Sequence, residues 1–206
     1  SEKQAYAISY FFSERRGDAV ELAESEPVVN FFRNRDLGMS YQYGLGLNIQ
    51  LIEDRFEYVA NRRRSGGRPV FTGFMLVDHN GAAVAEWQMP DHAANPGSWL
   101  LPGNREPRVR LDATNGALTI MAPIWINGIY RGELLAWVDA DSSFAQFGPA
   151  RTNRYGVLVN RETGEPLRGK TDGPRLKLQD WQAINALPAH DNKAHIFAQA
   201  SDGRHY

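Results

Sequence analysis

The stretch Leu118-Thr119-Ile120-Met121-Ala122-Pro123-Ile124-Trp125-Ile126-Asn127-Gly128-Ile129-Tyr130-Arg131-Gly132-Glu133-Leu134-Leu135-Ala136-Trp137-Val138-Asp139 decides the fold. Its two apolar halves are rich in the β-branched and aromatic residues that suit strands. Asn127-Gly128 separates them, and Asn-Gly is the strongest short hairpin signal. Ala117 to Ile126 and Gly132 to Asp139 therefore read as antiparallel strands. Side chains alternate along a strand, so Leu134, Ala136 and Val138 face one way. Glu133, Leu135, Trp137 and Asp139 face the other, mixing aromatic and acidic groups as a pocket wall does. A solvated or interface-facing sheet surface would carry the same mixture.

Strand signals continue upstream. Arg108 to Asp112 is a further strand, joined through the turn Asn115-Gly116. Phe74-Met75-Leu76-Val77, the turn Asp78-His79-Asn80-Gly81 and Ala82 to Trp87 make another hairpin. Residues 90 to 107 hold many Pro, Gly and Asn and read as a long loop. Beyond Gly148-Pro149 the pattern recurs more briefly: strand Tyr155 to Asn160, turn Arg161 to Glu165, and a return from Pro166. A short helix from Gln179 to Leu187 and a strand from His195 to Ala200 follow.

The first third reads helical. Apolar residues cluster from Ala5 to Phe12 and resume with Val20, Leu22, Ala23, Val28, Val29, Phe31 and Phe32. Pro27 predicts a kink or break, and Asp36-Leu37-Gly38-Met39-Ser40 another. With Ser40 as N-cap, Tyr41, Leu45, Ile49, Ile52, Phe56 and Val59 recur at spacings of three and four, one apolar stripe on a long helix. Gly44 and Gly46 inside that helix would let another helix approach closely. Arg62, Arg63 and Arg64 suit the negative end of the helix dipole, and Gly66-Gly67 stops it. The order of elements is α+β.

Composition narrows the functional classes. Apolar residues are 42% and charged residues 23%, an ordinary globular balance. Formal net charge is -1, with 23 basic and 24 acidic side chains, so nothing drives nucleic-acid binding. Cysteine is absent, which excludes disulfides, thiolate metal sites and cysteine nucleophiles. The longest apolar stretch, Leu118 to Ile126, is too short to cross a bilayer. The chain starts at Ser1 without a signal-peptide pattern and reads as a piece of a longer protein. The histidines show no metal-ligand spacing, and no nucleophile elbow or phosphate-binding Gly motif occurs. No cofactor is expected, and an enzyme is the third choice of function.

Three stretches together resemble the double Cache (tandem PAS-like) sensor module of bacterial membrane receptors. The first is Glu21-Leu22-Ala23, Val28-Val29 and Phe31-Phe32, running into Asp36-Leu37-Gly38-Met39-Ser40 and Tyr43-Gly44-Leu45. The second is Gly73-Phe74-Met75-Leu76-Val77-Asp78 followed by Gly81. The third is Leu118 to Ile124 with Asn127-Gly128, then Gly132-Glu133-Leu134-Leu135 and Asp139. The resemblance covers roughly residues 5 to 206 and is greatest to sensor histidine kinases. It implies a helical stalk over residues 1–65, a larger membrane-distal PAS-like unit over 66–147 and a smaller membrane-proximal one over 148–206. It also implies an extracytoplasmic, periplasmic domain that binds a small molecule. Where such modules hold an amino acid's amine with an Asp, this chain has Trp137, which speaks against a free amino acid.

The expected ligand-contact residues are Trp87, Arg108, Arg110, Trp125, Glu133, Trp137 and Asp139. Arg108 and Arg110 would clamp an organic anion. The plainer alternative is a cross-strand ion pair of these arginines with Glu86 or Glu133, and the tryptophans equally suit a core. A homodimer through the N-terminal helical region is a further expectation. Other readings are a chemoreceptor or diguanylate cyclase input domain, or a module docking a periplasmic binding protein.

Overall fold

A computed structural model describes residues 2–65, 67–90, 105–111, 118–139, 158–159 and 166–168. Three helices come first: α1 (Glu2–Ala23), α2 (Glu26–Asp36) and α3 (Leu45–Arg62), with a 3-10 turn at Tyr41–Tyr43. A short hairpin, β1 (Arg64–Ser65) and β2 (Arg68–Pro69), leads into the sheet. The sheet holds β3 (Phe71–Asp78), β4 (Ala83–Gln88), β5 (Arg108–Leu111), β6 (Leu118–Ile126) and β7 (Ile129–Val138). It is antiparallel throughout, in the order β4-β3-β7-β6-β5. A further antiparallel pair, β8 (Leu158–Val159) and β9 (Pro166–Arg168), completes the described elements. The fold is α+β, with helices leading into antiparallel sheet. Among the described residues no helix is long and apolar enough to cross a membrane.

Local chemistry sets the breaks. Pro27 sits in the first turn of α2, where its missing N–H costs no helical hydrogen bond. Asn127 and Gly128 both take positive φ, 52° and 77°, turning β6 into β7. The third helix starts later than its apolar spacing predicts. Gly44 has a φ of 133° and precedes α3, so Tyr41 lies outside the helix and is exposed. Gly46 makes room for that preceding turn and not for another helix: a Cβ there would lie 2.9 Å from the Tyr41 carbonyl oxygen. Strand β7 begins earlier than predicted, at Ile129, and β3 at Phe71. The turn at Asn115-Gly116, the helix at Gln179 to Leu187 and the strand at His195 to Ala200 lie outside the described residues, as does most of the 90–107 loop.

All three helices belong to one core on one face of the sheet. Phe11, Ala19 and Leu22 of α1, Val28, Phe31 and Phe32 of α2, and Ile52, Phe56 and Ala60 of α3 are buried there. They meet Phe74 and Leu76 of β3, Ile120, Ala122 and Ile124 of β6, and Leu134, Ala136 and Val138 of β7. Helix α1 contacts β6 and β7, and α3 contacts β3 and β4. The Phe74 ring is the centre of this layer, 5.3 Å from Phe56, 4.8 Å from Phe71 and 6.2 Å from Trp87. Ile49, Ile52, Phe56 and Val59 of the apolar stripe are thus used against the sheet, while Leu47, Leu51 and Tyr58 stay exposed on α3.

Ion pairs tie helices to sheet and to each other. The Asp36 carboxylate at the end of α2 accepts two hydrogen bonds from Arg131 on β7. Next to it, Arg35 donates to Asp78 at 3.1 Å, its guanidinium 4.9 Å from the Phe32 ring. Asp18 of α1, itself buried, pairs with Arg15 and with Arg63 after α3. Pro123 lies within β6, beyond the point where β5 begins opposite Met121.

Gly132 has a φ of 152°, and a Cβ there would lie 2.0 Å from the Val77 carbonyl oxygen. Gly128 has open space around it. Gly132→Ala is therefore expected to lower unfolding free energy by more than about 2 kcal/mol, and Gly128→Ala by about 1 kcal/mol, in urea titrations.

Candidate functional site

The sheet's other face carries a second, smaller apolar cluster: Met75, Val77, Met121, Leu135 and Trp137, each at most 6% exposed. The register builds it. Met75 pairs with Leu135, Leu135 with Met121, and Met121 with Arg108, so four strands contribute to one row. The next row sets Gly73 beside Trp137 and Trp137 beside Thr119. Gly73 is needed there, because a Cβ would lie 3.1 Å from the Trp137 ring.

Polar groups sit among these side chains. Glu133 is fully buried, and its Oε1 accepts a hydrogen bond from Nη2 of Arg108, whose side chain is only 17% exposed. The plainer expectation for Arg108 thus holds for the partner but not for the place, since the ion pair is buried and not at the surface. Taking both charges out of water is costly, and removal of either one strands the other. Tyr130 faces the same carboxylate. Burial first, then the charge and hydrogen bonding of Glu133, raise its phenol well above the usual 10.0, with Arg108 opposing. Tyr130 therefore stays protonated and acts as a donor. Among the described residues, buried polar atoms of this face without a hydrogen-bond partner include Oγ1 of Thr119, a fully buried residue, and Nε of Arg108. Buried polar atoms are normally hydrogen-bonded, so these stand out on an otherwise apolar face.

The expected contact residues divide. Arg108, Glu133 and Trp137 come together on this face. Trp125 stands at its end, its ring 5.5 Å from Tyr130 and 4.9 Å from the Arg105 guanidinium. Asp139 lies past the end of β7, half-buried, with its N–H donating to the Val70 carbonyl at 2.8 Å. Trp87 is on the opposite face, against Phe74 in the helix-side core, because its β4 partner position is Phe74. Arg110 pairs in register with Thr119, and its side chain lies outside the described set. Sequence reading passed over Thr119, Met121, Met75 and Tyr130. Strand alternation aligns Thr119 with Met121, but only the register sets them beside Trp137 and Leu135. Among the described residues no group of three or more His, Asp or Glu is placed to hold a metal.

No protein-family model matches the sequence, and no curated protein matches it significantly. Solved structures do share the fold. One is a domain of a sensory box/GGDEF family protein from Vibrio parahaemolyticus, with TM-score 0.55 and 14% identity over 82% of this chain and 69% of that one. Another is the extracellular domain of a histidine kinase, with TM-score 0.54 and 13% identity over 82% of this chain and 65% of that one. The match thus spans about two thirds of those chains, and at such identities the likeness is one of fold.

Glu133→Ala is expected to cost about 3 kcal/mol of stability by stranding Arg108, whereas Glu133→Leu combined with Arg108→Met should recover most of it; a double-mutant cycle in urea measures the difference. Tyr130 holds its proton more tightly folded than unfolded, so its contribution is intact below pH 10.0 and declines as pH rises past that value. Unfolding from about pH 9 to about pH 11 should therefore show a smaller loss in Tyr130→Phe than in the natural protein.

Proposed function

We propose that this chain is the extracytoplasmic, periplasmic small-molecule-sensing domain of a transmembrane signal-transduction receptor of the sensor histidine kinase type, and not an enzyme. One observation carries the reading. The sheet face turned away from the helices is as buried as the helix-side core, yet it holds a charged pair and, at Arg108 Nε and Thr119 Oγ1, buried polar atoms without partners. Ligand sites combine an apolar lining with a few convergent polar groups, and this face does the same. The fold likeness to the extracellular domain of a histidine kinase supports the receptor context. The likeness to a domain of a sensory box/GGDEF protein gives a cyclase input domain comparable support. Within this reading, residues 1–65 are a helical stalk, 66–147 the membrane-distal PAS-like Cache unit and 148–206 the membrane-proximal PAS-like unit of a double Cache module.

Signal transfer follows from the connectivity. Strand β7 carries Glu133 on the site and, two residues earlier, Arg131 on Asp36 of α2. A ligand that binds one arrangement of β7 better than another shifts the helices by that difference in affinity and no more. Two copies would meet through the outward face of α3, where Leu47, Leu51 and Tyr58 are exposed.

Thermal unfolding against a panel of carboxylates, amines, amides, sugars and purines tests the site. One chemical class should stabilise the fold, by about 2.7 kcal/mol at a hundredfold excess over its dissociation constant. Trp137→Ala should abolish that gain. A panel that leaves a well-folded protein unshifted moves the reading to docking of a periplasmic binding protein. In sedimentation experiments, Leu51→Glu should reduce any concentration-dependent dimer to monomer.

A further inference from the structure

Helix α1 buries a charge where its neighbours bury apolar groups. Asp18 and Arg15 are buried on this helix together with Phe11, Ala19, Leu22 and Ala23. Two arginines hold the Asp18 carboxylate. Nε of Arg15 stands 3.1 Å from its Oδ2, a charge contact without hydrogen-bond geometry. Nη2 of the half-buried Arg63 donates to its Oδ1 from just beyond the end of α3. Arg15 is held in turn by Glu14 at 3.1 Å, its guanidinium 5.4 Å from the centre of the Phe11 ring. A second ionic contact of α1, Glu21 with Arg55 of α3 at 2.9 Å, is far more exposed and so holds the helix less firmly.

Arg63 connects the buried charge to the sheet through the backbone. Its carbonyl accepts a hydrogen bond from the Val70 N–H at 2.8 Å, and the Val70 carbonyl accepts one from the Asp139 N–H at 2.8 Å. Asp139 directly follows β7, two residues past Trp137. The end of β7 thus reaches α1 through Val70, Arg63 and Asp18 in turn. The register of α1 depends on the same group. Moving α1 by one turn, about 5.4 Å, separates Asp18 from Arg63 in either direction. One direction also puts Arg15 into the fully buried place of Ala19, and the other puts it into the place of Phe11. Breaking a buried charge pair in this way is the costly case.

We propose that Asp18 is the joint that fixes α1 to the sheet, so that α1 follows the end of β7 and does not slide past it. The use of this joint in signalling rests on the sensing-domain reading. The joint itself is tested without a ligand, so each can fail alone.

Native-state amide hydrogen exchange on the 206-residue chain tests it. Asp18→Asn keeps the shape of the side chain and removes its charge. It should speed exchange of the α1 amides from Arg15 to Ala23, and of the Val70 amide, at least tenfold. The amides of Leu134 and Ala136 within β7 should keep their protection. Arg55→Gln, which removes the exposed pair, should leave all of these amides unchanged. Unchanged exchange in α1 after Asp18→Asn overturns the proposal, as does equal loosening of α1 by Arg55→Gln. An acceleration shared by Leu134 and Ala136 also overturns it, because Asp18 then serves the fold as a whole. Acceleration in α1 that leaves Val70 unmoved rejects the link to β7. If Asp18→Asn does not fold, Arg63→Gln takes its place: it removes the arm that reaches α1 and leaves Arg15 beside Asp18, and unmoved α1 amides then reject the joint.

Discussion

Strand β7 is hydrogen-bonded along both edges and buried on both faces from Gly132 to Val138. No side chain there has recourse to solvent, so each must find its partner inside the protein. Leu134, Ala136 and Val138 find the helix layer. Leu135 and Trp137 find Met75, Val77 and Met121. Glu133 has no apolar solution, and its charge obliges an arginine to reach it from β5, across β6. The placement of Arg108, the donor role of Tyr130 and the closeness of the Gly132 backbone to Val77 all follow from packing this one strand.

That same strand joins two kinds of interaction with different energetics. The Glu133–Arg108 pair is buried, so its loss is expensive and its geometry well determined. The Arg131–Asp36 pair has one partner 41% exposed, so it is weaker and more readily exchanged for water. A strand anchored firmly at Glu133 and lightly at α2 would serve the proposed sensing role, because the light contact is the one that can yield. Arg35, held between Asp78 and the Phe32 ring, keeps α2 attached to β3 meanwhile.

Much of this was legible in the sequence, for a definite reason. Alternation in Gly132 to Asp139 separates the two faces correctly, since a period of two is fixed by backbone geometry. Asn127-Gly128 and Pro27 act locally and landed where local chemistry puts them. Quantities that depend on register were not legible. Trp87 sits on the helix side because it pairs with Phe74, a relation set by the length and bulge of the β3–β4 hairpin. Thr119 meets Trp137 only once β6 and β7 are aligned. Tyr41 fits the periodic stripe of α3, yet the backbone at Gly44 breaks that helix off before reaching it. The ion pair was foreseen as an alternative for Arg108, but its burial depends on residues remote in the chain.

Two prolines mark where the β5–β6 pairing starts. Pro107 immediately precedes β5, and Pro123 stands two residues past Met121, the partner of Arg108. Residues 105–107 are not strand, so among the described residues β6 from Pro123 onward has no neighbouring strand on the β5 side. An unpaired sheet edge is a template for a stray strand, and proline at such a position denies it a donor. Self-assembly into fibrils or edge-to-edge aggregates is thereby discouraged at one of the sheet's vulnerable margins. At the other margin, β4 presents Glu86 and Gln88, whose polar side chains serve the same end.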